Sequence, residues 1–162
     1  MQSATIRFGE SRNGTVSRGY EATLKGRTMA VEETFIMLKP DAVRARKIGE
    51  IVSRIERSGL TIERMEMTLL DEETVKAHYA HLADQPFFPN IVKFMTSGPV
   101  VKMVVSGLNA IKKMRVLMGA TNPLEAAPGT IRGDYAIDVN SNIIHGSDSP
   151  ENAAIEIERF FG

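Results

Sequence analysis

The fold is decided by the stretch Thr34-Phe35-Ile36-Met37-Leu38, which is closed by Lys39-Pro40-Asp41. A short apolar run that ends in a Pro-containing turn is typical of a strand buried in a sheet. The elements that follow it can be read from their own periodicity. This strand is therefore the reference for the rest of the chain.

After this first strand, the spacing of apolar residues alternates between that of helices and that of strands. Apolar residues at i, i+3, i+4 and i+7 predict an amphipathic helix that ends at Gly59, namely Ile48, Ile51, Val52 and Ile55. Residues 60–70 alternate like a strand but change phase, which predicts a bulge near Glu63-Arg64. A second buried strand is predicted over residues 100–105, and a last short strand at 143–144.

Polar residues and prolines mark where the other helices begin. Asp71 and Asn109 are expected to cap two helices, Pro86 to restart the chain into a third, and Ser149 with Pro150 to open the last one. Residues 121–142 contain Pro and Gly and predict a long ordered loop, and loops of this length in compact domains are usually functional.

The resulting order of elements is β-α-β-(α-α)-β-α-loop-β-α. Strands separated by helices, without a set of long apolar parallel strands, favour an α+β fold. We therefore predict a ferredoxin-like split βαβ sandwich, with a four-stranded, mostly antiparallel sheet that is covered by helices. The helices are expected on one face of the sheet.

Composition excludes several classes of function. The 162 residues include 20 basic and 20 acidic side chains and no Cys, which excludes disulfides, thiolate metal sites and a thiol nucleophile. The balanced charge argues against nucleic acid and anionic lipid as partners. The chain contains no run of 18 apolar residues, so no transmembrane helix is predicted. We expect a soluble, cytoplasmic domain that binds neither nucleic acid nor membrane.

Residues 1–28 differ from the remainder. They hold five basic and two acidic residues, four Gly, and seven Ser or Thr, with no apolar core of a secretory signal. This composition predicts a disordered extension, whether an upstream, artificial or leader sequence, over 1–28. A transit peptide is the less favoured alternative. The folded domain is expected over 29–162.

One histidine lies where a phosphate group could bind and react with it. His145 lies at a strand end, just before a helix N-terminus whose free N–H groups favour a bound phosphate. Glu156 on that helix could hydrogen-bond one imidazole nitrogen and leave the other as a nucleophile. A structural role for a single His remains the alternative. His78 and His81 are expected to be solvated on a short polar helix.

Cations and aromatic side chains supply the other candidates. Lys39, Arg115 and Arg132 lie at element ends or in the long loop, where a fixed cation can meet a phosphate chain. Neither a Walker A pattern nor a G-x-G-x-x-G pattern occurs, so any phosphate must be held by side chains. Phe87 in the Phe87-Phe88 pair could stack on a base.

Seven short motifs, taken together, closely resemble nucleoside diphosphate kinase from about Glu33 to Phe161. In chain order they are Lys39-Pro40-Asp41-Ala42-Val43, His78-Tyr79, Pro86-Phe87-Phe88, Thr96-Ser97-Gly98-Pro99, Gly119-Ala120-Thr121-Asn122-Pro123, Pro128-Gly129-Thr130-Ile131-Arg132-Gly133-Asp134 and Asn142-Ile143-Ile144-His145-Gly146-Ser147-Asp148. Any one of them would be weak evidence, whereas seven in order are specific.

The resemblance implies a role for each matching residue. His145 is expected to accept the γ-phosphoryl of a nucleoside triphosphate, with ATP as donor, and to pass it to a diphosphate in a ping-pong mechanism. Glu156 would orient His145, with Lys39 and Tyr79 near the transferred group. The residues expected to bind the remainder of the nucleotide are Arg115, Thr121 and Arg132 for the inner phosphates, Asn142 with Lys39 for the ribose, and Phe87, Ile91 and Val139 for the base.

The resemblance further implies Mg²⁺ as cofactor, carried mainly by the nucleotide phosphates, with no dedicated protein metal site. It implies broad base specificity and a homo-oligomer, with a hexamer favoured over a tetramer. An RNA-binding split βαβ module is the alternative from another class, and it is disfavoured because the domain is mildly acidic. A catalytically inactive scaffold is disfavoured because the candidate site residues occur together.

Overall fold

The structure, a computed structural model, describes residues 6–8, 20–24 and 27–162 of the chain. The strands in these residues are β1 (Ile6–Phe8), β2 (Tyr20–Leu24), β3 (Arg27–Leu38), β4 (Thr61–Thr68), β5 (Val100–Leu108) and β6 (Ile144–Gly146). The helices are α1 (Pro40–Arg44), α2 (Ile48–Arg57), α3 (Glu72–His78), α4 (Phe88–Met95), α5 (Ala110–Met118), α6 (Ile131–Tyr135) and α7 (Pro150–Phe161), with a 3₁₀ turn at Ala80–Leu82. None of the described helices is long and apolar enough to cross a membrane.

The sheet is built around β3. Residues 31–38 of β3 pair antiparallel with β5, and residues 36–38 pair antiparallel with β6 on the other edge. The outer strand β4 pairs antiparallel with β5. The order β6-β3-β5-β4 with helices packed on it confirms the predicted α+β sandwich with a four-stranded antiparallel sheet.

Helices cover both faces of this sheet, so the expectation of one covered face is wrong. Phe35 and Met37 of β3 pack with α3, α4 and α7, whereas Ile36 and Leu38 pack with α2 and α5 on the other face. All four side chains are 0% exposed. Consecutive apolar residues in a strand point to opposite faces, so each face needs a cover. No open face remains at this strand for stacking RNA bases.

Several local predictions are confirmed. Helix α2 is followed by Gly59 with a φ of +79°, and the register of β4 shifts between Ile62 and Arg64. Asp71 caps α3 by accepting a hydrogen bond from the Thr74 backbone N–H, and Ser149 caps α7 ahead of Pro150. The long loop predicted over residues 121–142 is found on either side of the short helix α6, which was not predicted.

The predicted cap at Asn109 is wrong. Asn109 has a left-handed φ of +52°, and its side chain makes no capping hydrogen bond to α5. Instead, the Glu32 carboxylate on β3 accepts a hydrogen bond from the Ile111 backbone N–H at 3.3 Å. A residue distant in sequence has thus taken over the role of the local cap, which periodicity alone does not reveal.

The first strand of the core begins earlier than predicted. β3 begins at Arg27 rather than near Thr34, and its first residues pair with β2, where Ala22 lies opposite Met29. β1 pairs with β2 in turn. Within the predicted extension, the described residues 6–8, 20–24 and 27–28 thus lie in paired strands, and the division into an extension over 1–28 and a domain over 29–162 stays a prediction. The other residues of that prediction lie outside the described ranges.

A protein that starts at Met29 should still fold. It keeps residues 34–38 of β3 and both layers packed on them, and of the described structure it loses β1, β2 and the first two residues of β3. We expect its circular dichroism spectrum to retain the α+β signature and its Tm to lie within about 5 °C of the full chain.

A start at Pro40 is the control, since it removes β3 and should abolish cooperative unfolding. If the Met29 protein unfolded non-cooperatively, the paired strands β1 and β2 would be part of the folding unit.

Candidate active site

Every side chain that the resemblance assigns to the site lines one cavity of about 970 Å³. These residues come from distant parts of the chain and are Lys39, Tyr79, Phe87, Ile91, Arg115, Thr121, Arg132, Val139, Asn142, His145 and Glu156. The cavity lies beside the edge of the sheet where β6 pairs with β3. Strand pairing, loop 121–142 and the start of α7 together bring these groups to one place.

The position of His145 follows from the register of β6. His145 lies opposite Met37 of β3, so its side chain is on the sheet face that α3 and α7 cover. Its Nε2 atom is 2.9 Å from Oε1 of Glu156 on α7. The imidazole is 24% exposed and opens on the cavity. The structure thus joins the two residues that the sequence paired.

Ser147 fixes the other carboxylate oxygen. Its hydroxyl donates to Oε2 of Glu156 at 2.5 Å. Ser147 is itself held by Phe35 of β3, whose backbone N–H donates to the Ser147 hydroxyl at 3.2 Å and whose carbonyl accepts from the Ser147 N–H at 3.1 Å. The carboxylate is therefore anchored to the central strand of the sheet.

The charge of Glu156 determines the tautomer of His145. Burial by itself would raise the pKa of the Glu156 carboxyl, but hydrogen bonds from His145 and Ser147 bring that pKa below its ordinary value. Glu156 is therefore an acceptor at neutral pH, and Nε2 of a neutral His145 must carry the proton that it donates. The lone pair of Nδ1 is then left free as a nucleophile.

His78 is buried, which corrects the prediction that it is solvated. Its ring is perpendicular to that of His145, at 88° with 4.7 Å between the centroids. Val75 and His78 lie three residues apart on the inner side of α3, and this i, i+3 spacing is the signal that could have located His78. Burial, followed by the charge of His145, lowers the pKa of His78 to about 3. His81 is exposed, as expected.

Lys39 and Asn142 form a polar pair in the cavity wall. The Lys39 ammonium donates to Oδ1 of Asn142 at 2.6 Å. Burial lowers the pKa of Lys39 to about 8, although Asp41 acts in the opposite direction. Lys39 is therefore still charged at pH 7 and can attract an anion.

Arg132 is buried and ties two segments together. Its guanidinium donates to the carbonyls of Gly119 at 2.9 Å and Ile144 at 2.8 Å. Burial and the nearby Arg115 lower the pKa of Arg132 to about 10, so it remains a cation at pH 7. Arg115 and Thr121 are exposed on the same wall. The wall thus combines one fixed and one solvated guanidinium.

The remaining predicted residues flank the charged groups. Burial raises the pKa of Tyr79 above its ordinary value, so its phenol stays protonated and can donate a hydrogen bond. Phe87 and Val139 are exposed and Ile91 is half-buried, and together they form an apolar part of the cavity lining. This arrangement can accept a flat ring beside a chain of negative charges.

Three side chains in the described part of the chain are close enough to share a metal ion. Ligand atoms of His78, His145 and Glu156 all lie within 4.8 Å of one another. Two imidazoles and one carboxylate do not suit Mg²⁺, which prefers six oxygen ligands. An oxygen donor of the required kind is the exposed carboxylate of Asp148, which also lines the cavity.

Comparisons with known proteins agree with the resemblance. A family model described as nucleoside diphosphate kinase matches residues 32–162. The nucleoside diphosphate kinase of Streptococcus thermophilus is 57% identical over 136 residues, covering 82% of this chain and 99% of that protein. That of Thermobifida fusca is 56% identical over 131 residues, covering 81% and 97%.

Solved structures give the same answer. The crystal structure of nucleoside diphosphate kinase from Encephalitozoon cuniculi superposes with a TM-score of 0.79 at 46% identity, covering 81% of this chain and 89% of that one. The crystal structure of the Aquifex aeolicus nucleoside diphosphate kinase superposes with a TM-score of 0.79 at 40% identity, covering 82% of this chain and 96% of the Aquifex chain. The chain therefore belongs to the nucleoside diphosphate kinase family and is an enzyme with that activity.

Proposed function

We propose that His145 carries the transferred phosphoryl group in a ping-pong reaction. The observation that supports this most strongly is the 2.9 Å contact between Nε2 and the Glu156 carboxylate, which leaves Nδ1 free in the cavity. The Nδ1 lone pair forms a bond to the γ-phosphorus of a nucleoside triphosphate such as ATP. The bond from that phosphorus to the bridging oxygen breaks, and the diphosphate leaves with the electron pair.

The second half-reaction reverses these steps with another nucleotide. An oxygen of the terminal phosphate of a nucleoside diphosphate attacks the phosphorus, and the N–P bond electrons return to Nδ1. While phosphorylated, the ring carries more positive charge than free imidazole, and the Glu156 carboxylate at Nε2 stabilises that charge. Because this partner is fixed by Ser147 before the reaction, little reorganisation is needed.

The cations of the cavity have a separate task in this proposal. Phosphoryl transfer mainly requires positioning of the reactants and stabilisation of charge that spreads over the phosphate oxygens. Lys39 and Tyr79 would contact the transferred group, and Arg115, Thr121 and Arg132 the inner phosphates. Mg²⁺, bound mainly by those phosphates and with Asp148 as an oxygen donor on the wall, would neutralise part of their charge.

The nucleoside would be held with little selectivity for its base. Phe87 offers a ring face, with Ile91 and Val139 beside it, and stacking tolerates any base because each base has a π-face. Asn142 and Lys39 would bind the ribose hydroxyls. Strong selectivity needs buried polar groups that the wrong base leaves unpaired. An apolar base contact therefore supports broad base specificity.

The edge strand β4 supports the proposed homo-oligomer. Met65 and Met67 of β4 and Leu69 just after it are each more than half exposed and lie two residues apart in sequence. In the described residues β4 pairs only with β5, so its outer edge is available to a second copy. The number of subunits, for which the resemblance favours a hexamer, and the cytoplasmic location both stay predictions.

Replacing His145 should abolish both labelling and exchange. We expect the wild type incubated with γ-labelled ATP to acquire a label that is lost in acid and stable in base, as a phosphoramidate is. The His145→Ala protein should acquire none, because Nδ1 is absent.

His81→Ala is the control, since His81 is an exposed His that lines the same cavity but leaves Nδ1 of His145 in place, and this protein should still acquire the label. Labelling or exchange by His145→Ala at the wild-type rate would contradict the assignment.

The activity should fall at alkaline pH as Lys39 loses its proton. A pKa lowered to about 8 means that the ammonium is charged below pH 8 and neutral above it. We therefore expect kcat/KM for a nucleoside diphosphate to decrease above about pH 8, by up to about tenfold per pH unit, since this constant reports the free enzyme.

Lys39→Arg gives the decisive comparison. Its guanidinium keeps its charge throughout this range, so this variant should lose the alkaline decrease even if its overall activity is lower. The same decrease in Lys39→Arg would show that another group titrates.

A charge on the exposed apolar residues of β4 should weaken assembly. We expect Met67→Glu to reduce the mass measured by light scattering, because a carboxylate would have to be desolvated between subunits. Ile155→Glu on α7 is the control, since Ile155 is 52% exposed and Met67 58%. An unchanged mass for Met67→Glu, or the same loss for Ile155→Glu, would contradict an interface at β4.

A further inference from the structure

His78 occupies an unusual place for a polar side chain. Its side chain is only 3% exposed and lies in the layer between α3, α7 and β3. The rings around it include Phe160, with centroids 5.1 Å apart, and Phe35 at 6.5 Å. A phenylalanine would be the expected residue in such surroundings, because the transfer of imidazole from water to an apolar interior is costly.

The polar contacts of His78 are all made by Nδ1, the nitrogen near Glu156. Its Nδ1 atom is 3.4 Å from Nη1 of Arg159 and 3.8 Å from Oε1 of Glu156. Because a guanidinium can only donate, Nδ1 accepts from Arg159 and the proton of the neutral ring is on Nε2. That Nε2–H is buried and has no hydrogen-bond partner in the described part of the chain.

An unpartnered buried N–H destabilises a fold, so the fold alone does not explain His78. Its neighbours do offer an explanation. The ring is perpendicular to that of His145, and Nδ1 lies beside the oxygen that binds His145. His78 therefore contacts both members of the His145–Glu156 pair at once, from the element α3 that neither of them belongs to.

We propose that His78 is a positioning residue for phosphoryl transfer, one that keeps the His145 ring and the Glu156 carboxylate in the relative orientation in which Nδ1 of His145 faces the phosphorus. Arg159 donates to Nδ1 of His78, which lies 3.8 Å from Oε1 of Glu156, and this polar contact, more than the bulk of the ring, keeps the oxygen that binds Nε2 of His145 in place. This inference rests on the proposed role of His145.

The neutrality of the His78 ring belongs to the same arrangement. A charged imidazolium at this position would compete with His145 for the Glu156 carboxylate and would oppose the positive charge that the phosphorylated ring acquires. The groups that face His78 are His145, Glu156, Arg159 and His81. Its burial favours the uncharged form throughout the range in which the enzyme would work.

Two substitutions separate positioning from packing. His78→Phe keeps an aromatic ring of similar size but removes both nitrogens, including the unpartnered N–H. His78→Asn keeps a polar acceptor near the place of Nδ1 but removes the ring. If His78 serves packing, the more stable of the two proteins should transfer phosphate faster. If His78 serves positioning, His78→Asn should transfer faster although it is the less stable protein.

The measurements are the Tm and the single-turnover rate of phosphoenzyme formation from γ-labelled ATP. We expect His78→Phe to have a Tm equal to or above that of the wild type, a KM for ATP within about twofold, and a rate reduced about tenfold to a hundredfold, since small misplacements of reacting groups cost rates of this size. We expect His78→Asn to be the less stable protein and yet to transfer faster than His78→Phe.

Each alternative result has a definite meaning. A His78→Phe protein that labels at the wild-type rate, or one that is less stable than the wild type, would overturn the proposal, because the nitrogens would then be idle or would serve the fold. Activities that follow the order of the two Tm values would overturn it as well. A wild-type protein that never becomes labelled would instead refute the role of His145.

Discussion

The burial of β3 on both faces is the constraint from which the candidate active site follows. Residues 35–38 are apolar without interruption, and each face of the strand has its own layer of helices. One of these layers includes α7, which carries Glu156, and α3, which carries His78. The edge of β3 that is left for β6 places His145 on that same side. The contact between His145 and Glu156 is thus a consequence of how one strand is covered.

Partial burial gives the charged groups of the site their properties. Lys39, Arg132 and Glu156 are each withdrawn from water and each has a specific partner, so their positions are set before a ligand arrives. Withdrawal from water strengthens every interaction with a phosphate but disfavours the charged form of each lysine and arginine. The structure resolves this conflict by leaving the cavity open to solvent along one wall, where Arg115 and Thr121 are exposed.

Local signals predicted much of the fold and little of its long-range pairing. The i, i+3, i+4 period gave α2, and the change of phase in β4 gave its bulge, because both are encoded within a few neighbouring residues. The Glu32 carboxylate at the start of α5 and the pairing of β2 with β3 depend on residues far apart in sequence. No single-element pattern contains that information.

In the candidate site, too, local motifs located most residues but missed one that depends on long-range packing. The motifs identified the residues that line the cavity, whereas His78 was taken for a solvated residue because Glu72, Glu73 and Lys76 make its helix look polar. A short helix with two inward positions carries too weak a period to reveal which side is buried. The cost of an unpartnered N–H, visible only in the folded chain, is what distinguishes His78 from an ordinary core residue.

The bulge in β4 also decides which chemistry the molecule presents to its surroundings. Ile62 lies opposite Val105, and after the register shift Met65 and Met67 lie opposite Met103 and Val101, so the shift keeps all of these side chains on one face. If β4 instead paired regularly from Ile62 onward with the same residues, Arg64 and Glu66 would lie on that face and the methionines on the other. The bulge therefore decides whether this face of β4 carries an apolar stripe or a charged one, with the same amino acids in the strand.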